Sequence, residues 1–217
     1  GNDALDSRKV AFLLTTPQQD GGQWDMIVSL FQKYGVVPKS VMPESANSSN
    51  TRDLNNYLNK LLRKDATVLR EMIAGGETAE AIQAKKEEML EGIYQFLAIS
   101  LGTPPKEFDF EYRDEENNYH IDQQLTPQLF YDKYIGVKLD DYVSIINAPT
   151  KDKPFDRSYT VEMLGNVVGG KEVRYLNVDM STFKQLAIAQ LEQGESVWFG
   201  CDVGQSSTRD SGVMALD

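Results

Sequence analysis

The chain reads as an α+β fold in which one long αα-hairpin interrupts a series of shorter helices and strands. Three observations predict it. Between Thr51 and Gly102, two apolar stripes of helical period are separated by Gly75-Gly76. From Phe108 to Arg113, apolar and charged residues alternate, and Tyr119 to Asp122 answers them across an acidic turn. From Tyr142 onward, short runs rich in β-branched and aromatic residues follow one another, with a single helical stripe among them.

Taken in order, Val10-Ala11-Phe12-Leu13-Leu14 within Ser7–Thr16 predicts a short buried helix end, and Thr15 to Asp20 a polar loop containing Pro17. Trp24, Ile27, Val28, Phe31 and Tyr34 recur at helical spacing. Gly35 stands where a left-handed C-cap is wanted, and Pro38 follows shortly after. Ser45 to Asn50 is a Ser/Asn-rich linker and a candidate domain boundary. In the hairpin, Leu54, Tyr57, Leu58, Leu61, Leu62, Val68, Leu69, Met72 and Ile73 form the first stripe. Thr78 caps a second helix bearing Ile82, Met89, Leu90, Ile93, Tyr94, Leu97 and Leu101, which Gly102 ends.

Phe108–Arg113 and Tyr119–Asp122 form a β-hairpin, and Thr126-Pro127 places an N-cap and an N1 proline before a short helix running through Phe130 to Tyr134. Strands are expected at Val143–Ile146, Tyr159–Met163 and Val173–Leu176. Ser181 is expected to cap a helix that stops at Gly194, and Val197–Cys201 to form a buried strand. Three parts follow: residues 1–48, residues 49–135 with the hairpins, and a strand-rich part at 136–217.

An apolar content of 41% is ordinary for a folded protein. The net charge of −11 argues against general affinity for nucleic acid or anionic membrane. Within the hairpin, Arg52, Lys60, Arg63, Lys64, Arg70, Lys85 and Lys86 are balanced by Asp53, Asp65, Glu71, Glu77, Glu80, Glu87, Glu88 and Glu91, a solvated surface rather than a basic patch. No apolar run approaches the ~20 residues that span a bilayer, and no signal sequence opens the chain. One cysteine excludes an internal disulfide and fits a reducing, cytoplasmic compartment. The start at Gly1-Asn2 suits an expressed or processed piece.

Several patterns imitate sites. Gly165-Asn166-Val167-Val168-Gly169-Gly170-Lys171 has phosphate-loop spacing, but Glu172 replaces the Ser/Thr and a strand is expected to follow. Asp114–Leu125 has the length of a calcium loop, yet Tyr119 and Leu125 replace its obligatory Gly and Glu. Asn47-Ser48-Ser49 fits a glycosylation acceptor without a secretory context. Cys201 and His120 are the only Cys/His pair. Cys201 is expected in a buried strand, where desolvation favours the neutral thiol, and His120 on a hairpin. One Cys and one His do not close a structural zinc site, so no metal or other cofactor is expected.

The most informative stretch is Asp20-Gly21-Gly22-Gln23-Trp24-Asp25-Met26. Two glycines before a helix leave backbone N–H and C=O groups unshielded, so another extended chain can approach. Spacing alone favours a flexible turn feeding a core helix. DGGQWDM followed by KYGVVPKSVMPES resembles the bleomycin hydrolase and aminopeptidase C branch of the papain-like cysteine peptidases. Further matches lie at Leu101–Pro105, Glu111–Asp114, Leu125–Pro127, Tyr159–Asn166 and Gly194–Gly204, so the resemblance runs through essentially the whole chain.

The resemblance implies a papain-like fold carrying a helical insertion, and a cysteine aminopeptidase acting through a thioester acyl-enzyme. It implies substrate-binding roles for Asp20, Gly21, Gly22 and Gly200, with peptides as substrate. In this family the insertion builds subunit contacts in a hexameric ring, so a homo-oligomer is expected. The family's Gln-x-Gly-Arg-Cys-Trp run would lie before Gly1, and its catalytic His and Asn after Asp217, so no catalytic residue is assigned to this chain. At Gly22, a β-branched side chain is expected to block substrate and to resist a positive φ. A reading from another class is a non-enzymatic interaction module built on the helical hairpin.

Overall fold

Apolar residues at helical spacing do become helices wherever a cap or a glycine bounds them. The computed structural model describes residues 3–208 and 210–214. Helix α1 (Arg8–Thr15) is capped by the Ser7 hydroxyl, which accepts from the Val10 N–H at 3.2 Å. Helix α2 (Trp24–Tyr34) ends at Gly35, and α3 (Ala46–Ser49) is a single turn capped by Ser45. The αα-hairpin is α4 (Arg52–Ala74) and α5 (Ala79–Leu101), with the Thr78 hydroxyl accepting from the Ala81 N–H. The chain divides into two compact units, Gly1–Asp141 with Leu164–Val173, and Tyr142–Met163 with Arg174–Asp217.

In the first unit, strands β1 (Phe108–Arg113) and β2 (Tyr119–Leu125) pair antiparallel, with Tyr112 opposite His120 and a bulge between Phe108 and Phe110. Helix α6 (Pro127–Phe130) follows, capped by Thr126, and widens into a π turn over Tyr131–Ile135. Phe108, Leu125 and Phe130 form the buried centre here, and Val36, Val37, Val41, Phe110 and Tyr134 pack on it. The segment after α2 is thereby seated on the β-hairpin. Gly35 makes this possible. Its φ of 72° and ψ of −158° lie outside the left-handed cap expected, and a Cβ there would fall 2.2 Å from the carbonyl carbon of Pro127. The Val36 N–H donates to the Pro127 carbonyl at 3.1 Å, so two backbones run in contact and only glycine fits.

The acidic tip of the β-hairpin is a polar knot. The Asp114 carboxylate accepts from the N–H groups of Glu116 and Asn118 and lies 2.8 Å from His120 Nε2. The His120 contact, then the Asn118 N–H, holds its carboxyl down at about 2, below the ordinary 3.8. A depressed carboxyl stabilises the fold above its unfolded value and loses that contribution as pH falls through the folded one. The tip should therefore stay ordered down to about pH 4, losing order as the pH falls toward about 2. Amide resonances of Asn118 and Tyr119 followed by acid titration test this, and Asp114→Asn should abolish the step.

In the second unit, β3 (Ser144–Ile146), β4 (Arg157–Thr160) and β5 (Arg174–Asn177) form a sheet of order β3-β5-β4, with β3 parallel and β4 antiparallel to β5. Fully buried Asn177 organises the loop between β3 and β4. It accepts from the Ala148 N–H at 2.9 Å and donates to the carbonyls of Ala148 and Lys153. Helix α7 (Met180–Glu192) follows β5, and two short strands, β6 (Ser207–Thr208) and β7 (Val213–Met214), pair near the end.

Five further expectations need correction. Helix α1 forms but buries only Val10, leaving Phe12 exposed, because its apolar residues spread around the helix and one face alone is packed. Ser45–Asn50 is no free linker: Ser45 Oγ and Asn47 Nδ2 both donate to the Ser100 carbonyl, at 2.9 and 3.1 Å, docking α3 on the end of α5. The strand expected to reach Met163 stops at Thr160, since Met163 takes a φ of 61° and the chain turns. Helix α7 is capped by Asp179, which accepts from Ser181 and Thr182, so the cap lies two residues earlier than Ser181. Val197–Cys201 is neither a strand nor buried, because no strand of the second unit offers it a ladder.

Candidate functional site

Asp20, Gly21 and Gly22 form one turn before α2. Gly21 carries the positive φ, 89°, and no neighbour lies within 4 Å of where its Cβ would stand. Gly22 does not need φ > 0, contrary to the expectation for that position. A Cβ there would make only ordinary contact with Met26, 3.6 Å from Sδ. Gly22 thus presents exposed backbone with room beside it, which suits approach by an extended chain.

The turn is held from outside by α4. The Asp20 carboxylate accepts from the Thr51 hydroxyl and, at 2.8 Å, from Asn55 Nδ2. These two hydrogen bonds, Thr51 first, lower the Asp20 carboxyl below its ordinary range. Asn59 pairs with both backbone groups of Gln18, its Oδ1 accepting from the N–H and its Nδ2 donating to the carbonyl, each at 2.8 Å. Arg63 donates to the Leu14 and Thr15 carbonyls at the end of α1, where helix carbonyls lack internal partners. Sequence reasoning missed these residues. Their signal was present as Thr51, Asn55, Asn59 and Arg63 at strict four-residue spacing on the polar side of an amphipathic helix.

Gly200 belongs to the second unit and is not part of this turn. It lies in an exposed run outside any helix or strand, with nothing within 4 Å of where its Cβ would stand, between Phe199, 72% exposed, and exposed Cys201. Cys201 is therefore not shielded by burial as expected. His120 is engaged at the β-hairpin tip, 2.8 Å from Asp114 and stacked on Tyr112 at 4.9 Å between ring centres. The phosphate-loop imitation is also structural. Its Lys171 Nζ lies 2.9 Å from Asp140, its Lys171 N–H donates to Ser29 Oγ of α2, and β5 follows. Gly170 fits there because a Cβ would come within 2.9 Å of that hydroxyl. Among the described residues, no group of three or more His, Cys, Asp or Glu is placed to hold a metal ion, and no helix is long and apolar enough to cross a membrane.

Comparison with known proteins covers the same residues. The model of the Peptidase C1-like family matches residues 1–217. Aminopeptidase C of Streptococcus thermophilus is 64% identical over 213 residues, 98% of this chain and 48% of that protein. Aminopeptidase C of Lactococcus lactis subsp. cremoris is 58% identical over 217 residues, 100% of this chain and 49% of that protein. The crystal structure of PepW from Lactobacillus rhamnosis HN001 superposes with a TM-score of 0.93 at 64% identity, over 96% of this chain and 47% of that one. The chain spans about half the length of the curated relatives it matches. With the family model covering it from end to end, the chain belongs to the Peptidase C1-like family.

Proposed function

We propose that the whole protein is a cysteine aminopeptidase, and that this chain supplies part of its substrate cleft. The observation that carries the reading is the 64% identity to an Aminopeptidase C along nearly the whole chain. The turn at Asp20–Gly22 adds a physical role: Gly22 offers open backbone for pairing with a peptide main chain, while Gly21 takes the conformation that turns the chain into α2. Gly200, with nothing within 4 Å of where its Cβ would stand, is a second candidate contact.

In the proposed reaction a thiolate attacks the first peptide carbonyl, forming a thioester as the C–N bond breaks. The departing amine takes its proton from an imidazolium, and water then hydrolyses the thioester to return the thiol. Thiolate, imidazole and oxyanion donors are assigned to the remainder of the protein. The partners proposed are peptides and further copies of the protein. Self-association is supported by α5, which buries no residue and leaves Leu90, Tyr94 and Ile99 exposed. A cytoplasmic location is proposed from the single cysteine.

The test compares the whole protein with residues 1–217 on a fluorogenic aminoacyl substrate. Turnover is expected from the whole protein, running as an oligomer in light scattering, and none from the chain alone. Cys201 of the chain should be alkylated rapidly and stoichiometrically, being exposed. Turnover by the chain that Cys201→Ala abolishes would sink the proposal, and a monomeric active protein would remove the assembly claim.

A further inference from the structure

We infer that Thr51, at the N-cap of α4, and Asn55 of α4 are positioning residues for substrate, acting through Asp20 on the Gly21–Gly22 turn. The inference rests on the reading of that turn as a peptide-binding edge. A pair of glycines, one with nothing within 4 Å of where its Cβ would stand and the other beside Met26 alone, has little to hold it, since glycine backbone retains the widest conformational freedom. Pairing with a peptide main chain, however, demands a backbone placed to within about 0.5 Å. The restraint comes from the residue immediately before. Both carboxylate oxygens of Asp20 are engaged, Oδ2 by the Thr51 hydroxyl and Oδ1 by Asn55 Nδ2, so the side chain has no free rotation.

The rest of the stripe repeats the device down the loop. Along α4, four residues advance about 6 Å at ~1.5 Å each. The contacts run antiparallel to the loop: Thr51 and Asn55 meet Asp20, and Asn59, one turn further along α4, meets Gln18, two residues earlier in the chain. Asn59 meets Gln18 as a neighbouring strand would, through one donor and one acceptor. Arg63 then anchors the far end at Leu14 and Thr15.

Two details separate this from ordinary packing. Thr51 stands at the N-cap of α4 but makes no side-chain cap hydrogen bond, its hydroxyl being turned to Asp20. Asn55 Oδ1 is buried and finds no partner among the described residues. A flipped amide would set that oxygen against the Asp20 carboxylate, so the orientation serves Asp20 and leaves the acceptor orphaned.

The experiment uses the whole protein with an aminoacyl substrate, comparing Thr51→Val, Thr51→Ser, Asn55→Ala and Gly22→Val. Thr51→Val and Asn55→Ala should each raise KM about tenfold with kcat within about twofold, because the edge is misplaced before chemistry. Thr51→Ser, which keeps the hydroxyl, should restore KM. Hydrogen exchange of the Gly21 to Trp24 amides should quicken in Thr51→Val and not in Thr51→Ser, a readout independent of turnover. Unchanged KM in both α4 variants while Gly22→Val is impaired overturns the inference and leaves the reading of the turn standing. Loss that follows a lowered Tm, with Thr51→Ser no better than Thr51→Val, overturns it in favour of a packing role. Normal kinetics in Gly22→Val removes the turn's role and the inference with it.

Discussion

Gly35→Ala is expected to destabilise the chain by about 3 kcal/mol or more, the largest loss from adding one methyl group. Two costs add. A side chain at φ 72° and ψ −158° carries strain of roughly 1–3 kcal/mol, and forcing apart packed groups costs typically 1–3 kcal/mol more. The second cost is not relieved by a rotamer change, because the obstacle at 2.2 Å is the Pro127 backbone. Moving it would break the Val36–Pro127 hydrogen bond and tilt α6 off the Phe108–Leu125–Phe130 centre. Gly102→Ala is the control: φ is 91°, but no atom lies within 4 Å, so only strain remains. Urea unfolding should place Gly35→Ala well below Gly102→Ala in midpoint at equal slope. Equal midpoints would mean that the contact with Pro127 relaxes at no cost.

Gly22→Val should separate function from folding. Its backbone takes no positive φ and its Cβ would meet Met26 at an ordinary 3.6 Å, so stability should change by less than about 1 kcal/mol. In the whole protein, kcat/KM toward aminoacyl substrates should fall about 10–100-fold, the loss of one or two main-chain hydrogen bonds of about 1–1.5 kcal/mol each. Gly21→Val should do the reverse, losing stability to strain at φ 89° with nothing in its way. Wild-type kinetics in folded Gly22→Val would reduce the position to a turn residue.

What could be read from residues alone followed from local physics. Helices α2, α4 and α5 came from stripes closed by Gly35, by Gly75-Gly76 and by Gly102. The β-hairpin came from alternation, and α6 from Thr126-Pro127. The failures arose where a neighbour decides. Val197–Cys201 has strand composition, but a strand exists only beside another strand. Ser45–Asn50 has linker composition, but the Ser100 carbonyl recruits it. At the candidate site, the glycine pair was singled out by the resemblance and not by its spacing, and which glycine carries the unusual φ was not legible at all. The Thr51–Asn55–Asn59–Arg63 stripe was not legible because Asn59 and Arg63 bind backbone groups, which have no signature in a sequence, and Thr51 and Asn55 bind an Asp20 carboxylate 31 and 35 positions away. Asp179 and Ser181 are both good caps, and only the start of the helix chooses between them.

The docking of α3 on Ser100 has a consequence for how this part of the molecule can vary. Ser45 and Ser100 stand 55 positions apart along the chain yet share a hydrogen bond, so the αα-hairpin leaves and re-enters at one point. Closing a loop costs free energy that grows only with the logarithm of its length, about 0.6 kcal/mol for each doubling. Adding whole turns to the distal ends of α4 and α5, beyond Arg70, which still donates to the Asp3 carbonyl, would leave the pinched neck and the contacts of α4 with the N-terminal segment untouched. Arm length is thus nearly a neutral trait across descendants of this chain, while the few residues at the neck are not.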